Sequence, residues 1–174
     1  MVNLPMQVRR INSADASSFQ ALRLQALREC PTAFSSSYEE EVHIPITVIA
    51  SRLAAEAGPD MFGAFSETEL VGTIGFGREG ARKLAHKGFI RGMYVSPEFR
   101  HRGIGRQLVS HVLQHAASLS GLCQVTLTVT ASNVAAIRLY EKIGFTPFGV
   151  EPAALLVDGE FHDDIYMVRF VERS

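Results

Sequence analysis

The sequence has few cysteines, almost no net charge and no long apolar runs. Two of its 174 residues are cysteines, Cys30 and Cys123, too few and too far apart for a disulfide framework or a CxxC site. Interpreted as thiols, they indicate a reducing compartment. The formal net charge of -1 means that the chain lacks the excess of positive charge that nucleic-acid binders usually have. We therefore expect no nucleic-acid partner.

Membrane and export signals are missing as well. No stretch approaches the length of a membrane-spanning helix, and Met1–Met6 has no charged region followed by an apolar run. These absences predict a cytoplasmic protein with no membrane partner. The composition is that of an ordinary globular protein, with 47% apolar and 20% charged residues. Its length fits a single domain, residues 1–174.

A basic turn that contains two glycines lies between a predicted strand, 89–95, and a predicted helix. The helix is indicated by apolar residues at helical spacing: Ile104, Leu108, Val109, Val112, Leu113, Ala116 and Leu119. Unpaired backbone N–H groups and the positive end of the helix dipole face outward there, and Gly103 and Gly105 have no side chains to keep an anion at a distance. We interpret Arg100–Arg106 as a cradle for a pyrophosphate.

The rest of the chain alternates between strand and helix patterns. Besides 89–95, strands are expected at 7–11, 61–66, 70–76, 124–129, 155–157 and 161–170. The first helix is expected to begin at a cap formed by Asn12, Ser13 or Asp15 and to end at Pro31. Besides the helix after the basic turn, two more helices are expected, at 47–57 and at 134–142. Asn133 is the cap of the second of these. Residues 31–45 are expected to be irregular and, with the first two helices, to cover a cleft. The order predicts a mixed sheet with helices packed against it.

Two of these segments together resemble the cofactor motifs of the Gcn5-related N-acetyltransferase (GNAT) superfamily. Arg100–Gly105 is similar to the signature Arg/Gln-x-x-Gly-x-Gly/Ala. The second motif is similar to Asn133–Phe145, which reads Asn-Val-Ala-Ala-Ile-Arg-Leu-Tyr-Glu-Lys-Ile-Gly-Phe. The likeness extends from about Lys87 to the C-terminus. The pair of motifs, at this separation and on these elements, is specific.

The resemblance implies an α/β (α+β) architecture, the acyl-CoA N-acyltransferase fold. Its mixed sheet has about six to seven strands, flanked by about four helices, and is splayed between the fourth and fifth strands. The implied reaction is transfer of the acetyl group of acetyl-CoA, without a metal, to a primary amine that attacks directly in a ternary complex. We expect a small-molecule amine, and a homodimer would use the C-terminal hairpin. The alternatives are an acyl-CoA-binding sensor without productive transfer and an acyltransferase that uses a longer acyl group.

The resemblance also assigns roles to residues. The strand end bonds the pantetheine amides and offers an oxyanion donor, the turn holds the diphosphate, and Tyr140 is the general acid. The cofactor-binding residues are Met93, Tyr94, Val95, Arg100, His101, Arg102, Gly103, Ile104, Gly105, Arg106, Asn133 and Tyr140. Independently of the family, helical spacing puts Asn133, Ile137 and Tyr140 on one face. A phenol with an ordinary pKa of about 10 can donate a proton at neutral pH.

The general base cannot be identified from a motif. The acidic candidates are Glu39, Glu40, Glu41 and Asp163, and the three glutamates would also attract a cationic amine.

Two further patterns are interpreted as structural. Gly75–Gly80 matches GxGxxG, but the next strand ends in Val95-Ser96-Pro97 without the acidic residue of a dinucleotide site. His111 and His115 are four apart on the polar face of a helix, with Val112 where HExxH has Glu, so a solvated face is expected rather than a metal site.

Overall fold

Seven strands form one sheet in the structure, a computed structural model that describes residues 6–55 and 58–171. They are β1 Met6–Arg10, β2 Asp60–Ser66, β3 Glu69–Arg78, β4 Lys87–Val95, β5 Gln124–Thr130, β6 Thr146–Val157 and β7 Glu160–Phe170. Their order in the sheet is β1-β2-β3-β4-β5-β7-β6. Residues 1–5, and Glu56 and Ala57 of the second predicted helix, lie outside the described residues.

The helices are α1 Ala16–Glu29, α2 Tyr38–Glu41, α3 Ile46–Ala54, α4 Ile104–Ser118 and α5 Val134–Lys142. Of the three residues predicted to cap the first helix, Asn12 is the one whose side chain forms a cap. Its Oδ1 accepts from the Ala14 N–H at 2.9 Å and caps the 3-10 turn that leads into α1. The expectation that 31–45 is irregular was wrong at α2. The Ser37 hydroxyl and the Glu40 carboxylate cap that short helix reciprocally, which compensates for its length.

β6 is much longer than the predicted strand 155–157. The prediction missed its first nine residues because Pro147, Gly149 and Pro152 are typical of turns. β6 is the last strand of the sheet, and at an edge the missing N–H of a proline costs no ladder hydrogen bond. The register with β7 breaks at Pro147/Gly149 and at Glu151/Leu155, where the extra residues are accommodated.

Helices cover both faces of the sheet. On one face α4 places Leu108, Val109 and Val112, all fully buried, against the strands. On the other face α1 packs Leu22 and Leu27 in a second cluster. Burying a Leu or Val side chain stabilises a fold by about 1.5–3 kcal/mol, so the two clusters stabilise the packing of the sheet between the helices.

The parallel pair β4 and β5 separates along its length. Their register covers only Lys87↔Gln124, Gly88↔Val125 and Phe89↔Thr126, although β4 continues to Val95 and β5 to Thr130. The predicted splay between the fourth and fifth strands is thereby confirmed. It leaves backbone groups of β4 beyond Phe89 without a partner on β5.

A bulge interrupts β4 on its other side. Thr73 pairs with Tyr94 and Gly75 with Arg91, so Gly92 and Met93 both stand opposite Ile74. Gly92 has a φ of 61°, a left-handed conformation that glycine adopts without strain. A bulge of this kind redirects backbone N–H groups away from the ladder, here beside the splay.

The two patterns interpreted as structural lie away from the cleft. β3 is followed by an antiparallel strand with no helix between them, so Gly75–Gly80 is not a dinucleotide fingerprint, as expected. The solvated face predicted for the histidines was wrong. His111 and His115 are half-buried, with ring centroids 5.0 and 5.3 Å from that of Phe62, and His115 Nε2 lies 3.0 Å from Asp60 Oδ2.

Within 6–55 and 58–171, no helix has both the length and the apolar character needed to cross a bilayer. The same ranges contain no cluster of three His, Cys, Asp or Glu side chains with the geometry of a metal site.

Candidate active site

The splay opens two adjoining cavities. The turn cavity, about 480 Å³, is lined by the β4 bulge, the turn Arg100–Arg106, the end of β5 and α5. The α1 cavity, about 1030 Å³, is lined by α1, α2, α3, β5 and one residue of β7. The residues that line both are Ala33, Phe34, Ile90, Arg91, Gly92, Leu127, Thr128 and Thr130. The cavities therefore meet where β4 and β5 part.

The structure brings the predicted cofactor residues together in the turn cavity, except Arg102. The Arg102 guanidinium lies over the Phe99 ring at 5.0 Å and donates to the Glu98 carbonyl at 2.8 Å. This contact stabilises the short 3-10 turn Pro97–Phe99 that precedes the cradle.

The cradle has an open helix N-terminus. Gly103 is the N-cap of α4 with a φ of 78°, and among the described residues no side chain caps this helix. The first intrahelical bond runs from the Gln107 N–H to the Gly103 carbonyl, at 3.0 Å. The N–H groups of the preceding residues can therefore bind an anion.

Gly105 has a packing role besides the predicted one of leaving space for an anion. A Cβ at this position would lie 3.1 Å from Leu139 Cδ2 and 3.1 Å from Met93 Cε. The missing side chain lets α4 approach α5 and the bulge, in addition to any space that it leaves for a ligand.

The Arg100 side chain turns back toward the protein. Its Nε donates to the Val95 carbonyl at 2.9 Å, and its Nη2 lies 3.5 Å from Glu29 Oε2. Glu29 also accepts a short hydrogen bond from the Tyr94 hydroxyl. Burial and this bond raise the pKa of Tyr94, and the same bond lowers the pKa of Glu29. Glu29 thus ties the end of α1 to β4 and the turn, a link that no local pattern in the sequence indicates.

Tyr140 lies at the bulge. Its side chain is buried, its ring packs edge-on against Phe145 with centroids 5.8 Å apart, and its hydroxyl lies 3.4 Å from Met93 Sδ. Burial raises the pKa of Tyr140 to about 12. A thioether is a weak acceptor, so the hydroxyl keeps its proton and can give it to a stronger acceptor in the turn cavity. Asn133 caps α5 as predicted, because its Oδ1 accepts from the Ala136 N–H at 3.2 Å.

Three of the four predicted acidic candidates have structural partners. Glu40 closes the cap of α2, accepting from the Ser37 N–H at 2.7 Å. Glu41 forms a bidentate pair with Arg23 at 2.7 and 2.9 Å, which lowers its pKa. Asp163 Oδ1 accepts from the Ala153 N–H at 2.8 Å, within the β6 irregularity. The fourth candidate, Glu39, is exposed.

Sequence reasoning missed Asp164, which lines the α1 cavity. Its Oδ1 is buried without a hydrogen-bond partner among the described residues. Burial raises the pKa of Asp164, and the nearby charge of Glu151 adds to the rise, while the Thr130 hydroxyl opposes it. Neighbouring residues of a strand point to opposite faces, so of the pair Asp163-Asp164 one side chain had to face the cleft. That alternation was the available signal.

A mixed sheet that splays beside a bulge, with an uncapped helix N-terminus at the opening, is the acyl-CoA N-acyltransferase fold. The family model described as "Acetyltransferase (GNAT) family" matches residues 22–145. The chain belongs to this family, as its two motifs predicted.

Individual relatives agree with this assignment. The chain is 45% identical over 51 residues to the [Ribosomal protein bS18]-alanine N-acetyltransferase of Salmonella typhimurium, a match that covers 29% of this chain and 34% of that protein. Across the first curated relatives that it matches, the chain spans 34–60% of their length.

Solved structures show the same fold. A GNAT-family acetyltransferase from Streptococcus pneumoniae superposes with a TM-score of 0.85 at 20% identity, covering 97% of this chain and 100% of that one. The protein yncA of Salmonella typhimurium, solved with acetyl-CoA, superposes with a TM-score of 0.79 at 19% identity, covering 98% of this chain and 96% of that one.

Proposed function

We propose that the protein is an N-acetyltransferase that transfers the acetyl group of acetyl-CoA to a primary amine by direct attack in a ternary complex. The observation that carries this proposal is the position of Tyr140. Its protonated hydroxyl faces the β4 bulge where the two cavities meet. A proton donor is thus available where a thioester carbonyl and an amine would come together.

The turn cavity fits acetyl-CoA in three respects. The backbone N–H groups at the start of α4 and the Arg106 side chain suit a diphosphate. The β4 backbone beyond Phe89 has no partner on β5, so its N–H and C=O groups can pair with the pantetheine amides. The volume of about 480 Å³ lies within the range of small-ligand sites, about 300–1,000 Å³.

The residues of this chain would then divide the work. Bound acetyl-CoA supplies a thioester carbonyl that a neutral amine can attack. A backbone N–H of the bulge at Gly92 and Met93 stabilises the oxyanion that forms. Tyr140 gives its proton to the departing thiolate. Phe145 packs against the phenol ring, and Met93 contacts its hydroxyl.

The acceptor enters from the α1 cavity. Its volume of about 1030 Å³ leaves room for an extended small amine or for the end of a peptide. The Salmonella relative named above acts, by its name, on an alanine of a ribosomal protein. We therefore test a peptide N-terminus beside small-molecule amines.

The experiment is the release of free CoA thiol from acetyl-CoA in the presence of an alanyl tripeptide, spermidine or an aminoglycoside. We expect steady release with at least one amine, and N-acetylated product by mass spectrometry. Tight acetyl-CoA binding without release for any amine would favour a sensor and overturn the proposal. Faster release from hexanoyl-CoA than from acetyl-CoA would assign a longer acyl group.

A further inference from the structure

We propose that Asp164 binds the ammonium group of the acceptor in the α1 cavity and takes the proton that the nitrogen must lose before it attacks. The inference rests on the proposed function and adds to it a base and a charge preference for the acceptor.

The sheet places Asp164 next to the boundary between the cavities. Asp164 stands opposite Thr130 of β5 and, on its other side, opposite Glu151 of β6. Residues directly opposite in antiparallel strands share a face, and neighbouring strands are about 4.8 Å apart. Thr130 lines both cavities. Asp164 therefore lies one strand from the place where an amine would meet the thioester.

The carboxylate of Asp164 has an unsatisfied oxygen. The Thr130 hydroxyl favours the charged form of Asp164, but it has a single proton, which it donates in a short bond to the Thr32 carbonyl. Within the described ranges, no arginine, lysine or histidine forms an ion pair with Asp164. A buried carboxylate oxygen without a partner is costly, and an alkylammonium group in the α1 cavity would supply Oδ1 with both a positive charge and a donor.

Neighbouring carboxylates are already occupied. Glu151 accepts a short hydrogen bond from the Tyr166 hydroxyl, and Glu41 is neutralised by Arg23. The other charged groups that line the α1 cavity are Arg23, Glu40, Arg52 and Arg91. Since Glu151 repels a negative charge at Asp164, protonation of Asp164 by the substrate is easier than for an isolated carboxylate.

The protons balance along this route. An alkylammonium R–NH₃⁺ gives one proton to Asp164 and becomes a neutral amine. The nitrogen then forms the C–N bond, the C–S bond breaks, and the thiolate takes the proton of Tyr140. The second nitrogen proton restores the Tyr140 phenol, and Asp164 releases its proton to water through the open α1 cavity. The net products are the amide, CoA thiol and one proton.

The kinetic test compares Asp164→Asn with Asp163→Asn. Both changes remove one carboxylate from β7, and the Asp163 variant keeps an oxygen to accept from the Ala153 N–H. With the fastest amine of the wild-type panel, Asp164→Asn should lower kcat/KM for the amine at pH 7 by about 10²-fold or more. The KM for acetyl-CoA should stay within twofold. The loss should shrink as the pH approaches the pKa of the amine, since the substrate then arrives neutral.

Three kinetic results would overturn the inference: an Asp164→Asn value of kcat/KM within twofold of wild type, an equal loss in Asp163→Asn, or a loss independent of pH.

An NMR titration separates this inference from the proposed function and does not depend on either variant being active. The wild-type protein carries ¹³C-labelled aspartate carboxyls, and the Asp164 signal is assigned by its absence in Asp164→Asn. Saturating spermidine should move the Asp164 titration to lower pH and leave that of Asp163 unchanged. An unmoved Asp164 titration would refute ammonium binding, even in an active enzyme. A moved titration in a protein that releases no CoA would refute the proposed function instead.

Discussion

Two side chains that line the cavities, the buried Tyr140 and the half-buried Asp164, are suited to opposite proton transfers. Tyr140 has only the Met93 thioether near its hydroxyl, so its phenol stays protonated. Asp164 lies in a site that disfavours its charge, and among the described residues its Oδ1 has no hydrogen-bond partner. One group is therefore suited to give a proton and the other to accept one.

Replacing Tyr140 by Phe should lower kcat by about 10²-fold, because general-acid catalysis typically contributes that much or more. The Kd for acetyl-CoA should change less than threefold, since the ring and its packing on Phe145 remain. Steady-state kinetics and calorimetry measure the two effects. Tyr38→Phe, outside both cavities, is the matched control. Equal losses in kcat and affinity would argue against an acid.

The pH profile gives a second check on Tyr140. With a pKa of about 12, the phenol is protonated between pH 8 and pH 10. We therefore expect ionisation of Tyr140 to cause no fall of kcat between pH 8 and pH 10. The test is a fall in the wild type that is missing from Tyr140→Phe. Such a fall would mean that the phenol ionises near its ordinary pKa of about 10.

The raised pKa of Asp164 has a consequence for stability. At pH 3 the carboxyl is protonated in the folded and the unfolded chain, and it does not affect the difference between them. As the pH rises past its ordinary pKa of about 3.9, the unfolded chain ionises first and the folded protein loses stability. Asp164→Asn should therefore raise the Tm at pH 7 and leave it unchanged at pH 3. A uniform shift at both pH values would indicate repacking instead.

At the scale of elements, the start of α4 depends on backbone conformation more than on its basic side chains. Arg100 and Arg102 both bond to carbonyls of the residues just before the cradle, and they fix the path of the turn. Gly103 then reverses the chain in a left-handed conformation. The basic residues of the motif thus shape the cradle as well as supplying charge.

Gly103→Ala tests that conformation. Nothing lies within 4 Å of a Cβ at Gly103, so the cost comes from the positive φ alone, about 1–2 kcal/mol. We expect a lower Tm and a weaker Kd for acetyl-CoA. Gly103→Asn should lose less, because asparagine tolerates this region better. Gly149→Ala, with open space and no positive φ, is the control and should change neither quantity.

Local elements could be predicted from the sequence where a single pattern decided them. The periodicity of α4, the Asn133 cap of α5 and the alternation in β5 were sufficient. The length of β6 was underestimated because its prolines and glycine are typical of turns. They fit a strand only at the edge of a sheet, and the sequence does not show which strand is at the edge. α2 was missed because four residues carry no periodicity.

The site could be predicted only in part. Within each of the two motifs the residues lie together because they are close in sequence and next to a helix start. The link from Glu29 to Tyr94 spans 65 residues, and the position of Asp164 depends on which face of β7 meets the cleft. Both depend on how distant elements pack and pair in the fold, which local sequence patterns do not indicate.

For the whole molecule, the sheet consists of two antiparallel halves. β1 to β4 form one and β5, β7 and β6 the other, and three register pairs join them. The helix α4 packs against β1 to β4, the first of these halves. A ligand in the turn cavity would touch both halves and act as an additional connection.

Acetyl-CoA should therefore stabilise the protein. A concentration one hundred times its Kd adds about 2.7 kcal/mol, which raises the Tm by roughly 5–10 °C for a chain of this size. Differential scanning fluorimetry measures the shift. S-acetylpantetheine lacks the diphosphate and should give a clearly smaller shift at the same concentration. Equal shifts would mean that the cradle at Arg100–Arg106 contributes nothing to binding.

The splay between β4 and β5 also predicts where deuterium enters the sheet. Central strands normally exchange their amide hydrogens slowly, because every N–H is bonded within a ladder. The β4 amides beyond Phe89 that face β5 lack such bonds, so the middle of the sheet should exchange faster than β3 beside it. If pantetheine occupies that gap, those amides become protected when acetyl-CoA is added, and their positions trace its path along the strand.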